Sequence, residues 1–520
     1  MRHKTYTLYF LSIVIFFKNT VDAQTPTWSE NIADIIYTNC SSCHHEGAIA
    51  PFSLMDYDDA YEWGDFIANE VESKHMPPWP ADPSYRHFKD EAVLTDLEID
   101  QILDWVDAGM PTGDLATAPD APIFPENGSM LEFIDLTIAI EPYTLQFDTD
   151  EYRWFTVTNP FAETIYINAI EVEAGLPDLV HHCDISWDES GISLNYDLED
   201  PLPGFNSSTG YPNYDYYMNA WMAGGNLIKY PSDWGIEVPP GAIFVFEIHY
   251  GPGGQGLIDS TKINFQFVQD PTDVRPVYAS WLLNNPIAAE GPLIIPADEV
   301  VTFHQDYTTP QKRSYLTICP HMHLLGRSYK VWFEDDGDSI PLINIPDWQF
   351  HWQKYYTFQK VQVIPYNAHI KSEAVYDNTV FNLDNPNDPP ETVYYGSTTE
   401  DEMFMTYFLW TNYQNGDEDI ILDSTILYSP INNLTTSDLF KLYPNPVRDF
   451  LYLQGDINNT NINQINIFNT YGQLIQLPNL NNISILPHRI NTTSLPKGIY
   501  FIEVITNNGK WNTTFVKIDN

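Results

Sequence analysis

The sequence predicts a mainly β chain. Two antiparallel β-sandwiches follow a small all-α domain and precede a small β-sandwich at the end of the chain. Three observations carry this. Residues 132–430 are dominated by short alternating runs such as Ile243-Phe244-Val245-Phe246-Glu247-Ile248-His249-Tyr250, with Gly, Pro, Asn and Asp between them. Residues 24–115 instead place apolar residues at helical spacing. Residues 437–520 return to short strand-like runs. A length of 520 residues holds three or four such domains.

Residues 1–23 read as an export signal. Arg2 and Lys4 supply positive charge, Leu8–Phe17 is an apolar run too short to span a membrane, and Val21-Asp22-Ala23 offers small residues for cleavage. No later segment reaches transmembrane length, so the mature chain is expected to be soluble and outside the cytoplasm. The formal net charge is −48, from 71 acidic and 23 basic residues. Phosphate binding needs clustered Lys and Arg, so nucleic acid is excluded as a partner.

Within 24–115, Trp28–Tyr37 forms a short amphipathic run. A second helix is expected over Tyr57–Glu72. A third starts at the capping box Thr95-Asp96-Leu97-Glu98, with Ile99, Ile102, Leu103 and Val106 at helical spacing. Between the first two lies Cys40-Ser41-Ser42-Cys43-His44. C-x-x-C-H is the attachment sequence of a c-type haem: Cys40 and Cys43 form thioethers to both vinyl groups, and His44 is the proximal iron ligand. A thioredoxin-like redox site or half a zinc site are the other readings of a C-x-x-C pair. No second C-x-x-C and no βαβ pattern accompanies this one. The segment resembles a small class I cytochrome c. That resemblance makes Met76, in His75-Met76-Pro77-Pro78-Trp79, the sixth iron ligand, with His75 as its rival.

Residues 116–131, rich in Pro and Ala, read as a linker. The region 132–430 divides into sandwiches over 132–272 and 273–430. Its histidines cluster: the pair His181-His182, His249 in His249-Tyr250-Gly251, and His321 and His323 flanking Met322. Period-2 geometry puts His321 and His323 on one strand face, whereas adjacent His181 and His182 need a twist or a strand end to share a metal. Imidazole suits copper, zinc or iron. On the residues alone, a metal site and ordinary hydrogen-bonded strand histidines both stay open. Cys183 and Cys319 are the remaining cysteines; their neighbours place them in different domains.

These histidine motifs, in this order, resemble the copper type II ascorbate-dependent monooxygenases, which include the peptidylglycine hydroxylating and dopamine β-monooxygenases. The resemblance covers residues about 132–425. It implies two jelly-roll-like sandwiches, each holding one copper across a solvent-filled cleft. His181, His182 and His249 then hold the first copper. His321, His323 and Met403, in Glu400-Asp401-Glu402-Met403, hold the second, where O2 is activated. A soft thioether stabilises Cu(I), which suits Met403 to that role; Met405 is the nearby alternative. Tyr407 matches a tyrosine of the family's site. The family's peptide-amidating members carry Arg at the position of Cys319 and Asn at that of Met405, so a C-terminal glycine substrate is not implied. Two copper ions, one covalent haem c and ascorbate or another external electron donor are the cofactors and partners that follow, with O2 and a small-molecule or peptide substrate. A non-catalytic haem and copper electron carrier is the other function this sequence allows.

Residues 437–520 contain Leu442-Tyr443-Pro444-Asn445-Pro446, Asn469-Thr470-Tyr471-Gly472 and Leu495-Pro496-Lys497-Gly498-Ile499-Tyr500. They resemble the C-terminal sorting domain of the type IX secretion system of Bacteroidetes. That resemblance implies the type IX secretion machinery as a partner and release to, or attachment at, the cell surface.

Overall fold

Alternation of apolar and polar residues becomes sheet wherever one face has a core to enter. The computed structural model is accordingly mainly β, and among the described strands the pairing is antiparallel except for a short parallel pairing between Arg275–Pro276 and Trp234–Val238. It describes residues 25–423 and 440–518, apart from 47, 125–128, 223, 226, 284–286, 456–461, 470–473, 476–480, 484–487 and 507–508. The export signal over 1–23 and the Tyr471-Gly472 element lie outside the described residues. Among those described, no helix is long and apolar enough to cross a membrane.

The helical part runs Trp28–Ile32, Ala33–Asn39, Tyr57–Glu62, Gly64–Glu72 and Asp96–Asp107. The capping box forms: Thr95 Oγ1 accepts from the Glu98 N–H at 3.2 Å, and the Glu98 carboxylate accepts from the Thr95 N–H at 2.7 Å. The single helix expected over Tyr57–Glu72 is instead two. Trp63 leaves the helical region with ψ 7°, and its ring stacks on Phe52 at 4.2 Å. Trp28, Ile32, Ile36, Ile67, Ile102 and Trp105 form the core of this part.

The helical part is not merely tethered by a linker. Residues 78–89 lie along the second half of the β region. The Asp82 N–H donates to the Asn344 carbonyl at 2.8 Å, the Lys89 N–H to the Thr357 carbonyl at 2.8 Å, and Arg86 to the Pro341 carbonyl at 2.7 Å. Ala81 and Phe88 are buried in the same apolar core as Tyr315, Tyr356 and Phe358.

In the first half of the β region, a sheet built on Ile165–Glu173 and Lys262–Phe267 shares a core with a four-stranded sheet. That sheet runs Glu151–Thr158, Ile243–Tyr250, Val180–Asp188, Tyr216–Met222. Period 2 sorts Ile243–Tyr250: Phe244, Phe246, Ile248 and Tyr250 enter the core, so Glu247 and His249 point the other way. In the second half, one sheet runs Tyr278–Trp281, Met405–Asn412, Arg313–His321, Tyr356–Ile364. The other runs Val300–Thr308, His369–Asp377, Gly326–Asp335, Asp338–Ile345. Ile318 and Phe408 enter the second core, whereas Cys319 and Leu409 pack into the first. The two halves therefore share apolar contacts across the boundary near residue 272. Cys183 and Cys319, placed in different domains by sequence, belong to one core and are unpaired.

Residues from Asp423 onward form a separate compact unit. Phe440–Tyr443, Phe450–Gly455 and His488–Asn491 make one sheet. Ile462–Asn469, Gly498–Thr506 and Gly509–Lys517 dominate the other. Leu451, Leu453, Ile467, Ile490, Ile502 and Phe515 close the core of this unit.

Candidate metal centre

The outward faces of two sheets bring the histidine motifs together. His182 stands opposite His249 in the ladder, while Val180 stands opposite Tyr250, so His181 is the extra residue of a β-bulge. A bulge inserts one residue and re-aims the side chains beside it. This is how adjacent histidines reach one place, which the strand pattern alone forbids. Their Nδ1 atoms lie 3.3 Å apart, and the ligand atoms of His181, His182 and His249 all lie within 4.8 Å of one another.

The His249 ring is held from behind. His249 Nε2 donates to Asp150 at 2.7 Å, and Tyr152 stacks on the ring at 4.1 Å. Its Nδ1 is buried without a hydrogen-bond partner. A carboxylate on one nitrogen and an unmet lone pair on the other is the arrangement of a metal-binding histidine. Burial, reinforced by the neighbouring imidazoles, pulls His181 down to about 3 and His182 well below the ordinary imidazole range. Neutral rings with free lone pairs are what a metal ion requires, so these residues fit one.

The second set is built differently. His321 ends the strand Arg313–His321, and its Nδ1 donates to Gln353 Oε1 at 2.6 Å. His323 Nδ1 donates to the Asp401 carbonyl at 3.0 Å. Both partners leave Nε2 as the free ring nitrogen. Burial lowers His321 to about 4 and His323 to about 3. Met403 lines the same cavity. Met405 begins the strand Met405–Asn412 and stands opposite His321 in the ladder, but is not among the residues lining that cavity. Met403 precedes this strand. Tyr407 also lines the cavity, its ring 6.2 Å from that of His321.

Both sets open on one cavity of about 210 Å³. Phe350 stands between them, stacked on His181 at 4.8 Å and edge-on to His323 at 6.1 Å. The cleft implied by resemblance is here a small shared chamber with a phenyl ring between the sets. Asp184 and Glu247, facing each other in the ladder, also line it, and burial raises both carboxyls. No Lys or Arg is among the lining residues.

Sequence reasoning missed the supports: Asp150, Phe350, Gln353 and Glu402. Only Glu402 carried a signal, as the neighbour of Met403. Its carboxylate accepts the backbone N–H groups of His323 at 2.9 Å, Leu325 at 2.7 Å and Met403 at 3.1 Å. Burial nonetheless pushes it up to about 8. Glu402→Ala leaves two buried donors and one part-buried donor unmet and is expected to cost on the order of 3 kcal/mol. Glu402→Gln, which keeps an acceptor, should cost less; urea unfolding of both variants checks this.

The Cys40–His44 turn follows the helix Ala33–Asn39. Both thiols are unpaired, and burial pushes Cys40 up to about 12. A thiol held protonated is a poor thioredoxin-like nucleophile. His44 Nδ1 donates to the Phe52 carbonyl at 3.1 Å, which leaves Nε2 for a ligand, and burial lowers its basicity. These residues fit a covalently held haem. His75 is exposed and pairs with Glu70 at 3.5 Å. Met76 beside it is half-buried, its N–H donating to the Glu70 carbonyl at 3.2 Å.

No curated protein matches the chain. Among solved structures, a biofilm-associated protein (its BSP domain) is 9% identical, over 76% of this chain and 85% of that one, with a TM-score of 0.13. A variant of Bacillus subtilis oxalate decarboxylase is 8% identical, over 65% and 89%, with a TM-score of 0.12. Likenesses at these scores carry no argument. Residues 441–518 match the family described as the secretion system C-terminal sorting domain. The last unit of this chain is therefore a type IX secretion sorting domain, and the protein is secreted or displayed at the cell surface.

Proposed function

We propose that this protein is a copper-dependent monooxygenase that hydroxylates a C–H bond of a small organic or peptide substrate with O2. Electrons come through the haem of the helical part, from ascorbate, or from both. The observation that carries the reading is the single chamber faced by two unequal donor sets, three imidazoles on one side and two imidazoles with a thioether on the other. Bound there, copper supplies two one-electron centres and a place for O2.

The chain's own residues divide the remaining work. Asp150, Gln353 and the Asp401 carbonyl orient the rings. Glu402 ties the His323 backbone to that of Met403. Phe350 and Tyr407 bound the space beside the second set and exclude water from it.

Copper near two atoms per chain, with O2 uptake that depends on one compound from a panel of small organic molecules and peptides, is the expected result. Copper-loaded protein with no substrate-dependent O2 uptake across the panel counts against it. Two features favour the alternative of a non-catalytic electron carrier: the chamber is small, and Cys319 stands where the amidating members of the resembled family carry their substrate-gripping Arg.

A further inference from the structure

We infer that the wall formed by Ala220, Met222 and Tyr355 is the port through which an electron passes from a haem on Cys40, Cys43 and His44 to copper on His181, His182 and His249. The inference rests on the function proposed above and names the route by which its reductant enters.

A second cavity, of about 980 Å³, lies beside the haem-attachment turn. His45, Ile49 and Met55, which follow the motif, line one side of it, and Ala220, Met222 and Tyr355 line another. The same three residues line the histidine chamber. One layer of side chains thus separates the space next to the C-x-x-C-H turn from the metal ligands. Met222 ends the strand Tyr216–Met222 and stands directly opposite His182 in the ladder. The path from cavity to ligand is therefore one side chain and one cross-strand contact. A polarizable thioether and a phenol ring supply packed matter along it.

The wall is also where the helical part is fastened. Lys354, adjacent to Tyr355, is 5% exposed. Its ammonium donates to the Pro78 carbonyl at 3.1 Å and sits over the Trp79 ring at 5.1 Å. A buried ammonium is costly, and spending one on a backbone carbonyl and a ring marks a built junction. Gln353, on its other side, holds His321. The segment that orients the second histidine set thus also fastens Pro78 and Trp79 of the helical part beside the port.

The step moves one electron and no atoms: haem Fe(II) becomes Fe(III) as Cu(II) becomes Cu(I). A one-electron donor such as ascorbate returns the haem to Fe(II).

The test uses the full chain, loaded with haem and Cu(II) and kept anaerobic. The haem is photoreduced, then the ferrous absorption band and the Cu(II) paramagnetic signal are followed. Expected is a decay of the ferrous band whose rate does not depend on protein concentration, matched by loss of Cu(II) signal. Met222→Ala should slow this phase several-fold with haem and copper contents unchanged. Leu227→Ala, which lines only the larger cavity, should leave it as it was. If Met222→Ala does not fold, Tyr355→Leu reads the same wall from the other half. An unchanged rate in the wall variant, or a haem that stays ferrous beside Cu(II), overturns the port. Hydroxylation driven by ascorbate would then persist and leave the proposed function standing. Failure of the chain to bind copper removes both.

Discussion

A Met403→Ile chain is expected to lose product formation by about 100-fold or more, since even loss of a residue supporting a metal ligand costs 10–100-fold. Of the other sulfur-bearing residues lining the chamber, Met222 stands opposite His182 on the side of the first set, and burial keeps the Cys319 thiol protonated, so Met403 is the soft donor of the second set. Isoleucine fills similar space but cannot coordinate Cu(I). His321 and His323 keep their partners Gln353 and Asp401, so the change is confined to the soft donor. The site is half-exposed to the chamber, and folding should survive. His249→Ala is its counterpart on the other wall. It removes one of three converging imidazoles and strands Asp150, and should take copper content from two towards one. Copper by mass spectrometry, product by chromatography and haem reduction by an external donor separate the two variants. Haem reduction should be untouched in both. A Met403→Ile protein that hydroxylates at the wild-type rate would falsify the assignment of O2 activation to that site and favour the electron carrier.

A chain ending at Leu422 should fold, carry its cofactors and fail to leave the cell. The terminal unit closes its own core through Leu451, Leu453, Ile467, Ile490, Ile502 and Phe515, and none of these residues belongs to the other cores. Its family is one of secretion sorting, so export is the property lost. Blotting of cell fractions and medium should find the truncated protein almost entirely in the periplasm. Thermal melting should match that of the first unit within the full chain. Normal surface delivery of the truncated chain would sink this expectation.

The helices, the capping box and the strands were legible because each follows from a local pattern: a 3.6 or 2 period with Gly, Pro, Asn and Asp at the ends. Trp63 broke a helix that the pattern ran straight through, because stacking on Phe52 is a contact between residues eleven apart that periodicity does not report. The distinction between Met403 and Met405 was invisible for a similar reason. Both sit two residues apart in an apolar run, and only the start of the pairing with Arg313–His321 sends one into the ladder and leaves the other facing the chamber.

By itself, then, the sequence determined the mainly β class, the helical front, the sorting tail and the residue types at which metal chemistry is to be sought. Those are properties of short windows and of composition, set by sterics, hydrophobic period and donor type. Tertiary structure alone decided three further things. A bulge at His181 lets neighbouring histidines converge. Residues 78–89 of the helical part are built into the second core. Both histidine sets share one chamber with Phe350 between them. Each depends on which strand lies beside which and in what register. Register is set by burial of whole faces at once, and no single motif encodes it.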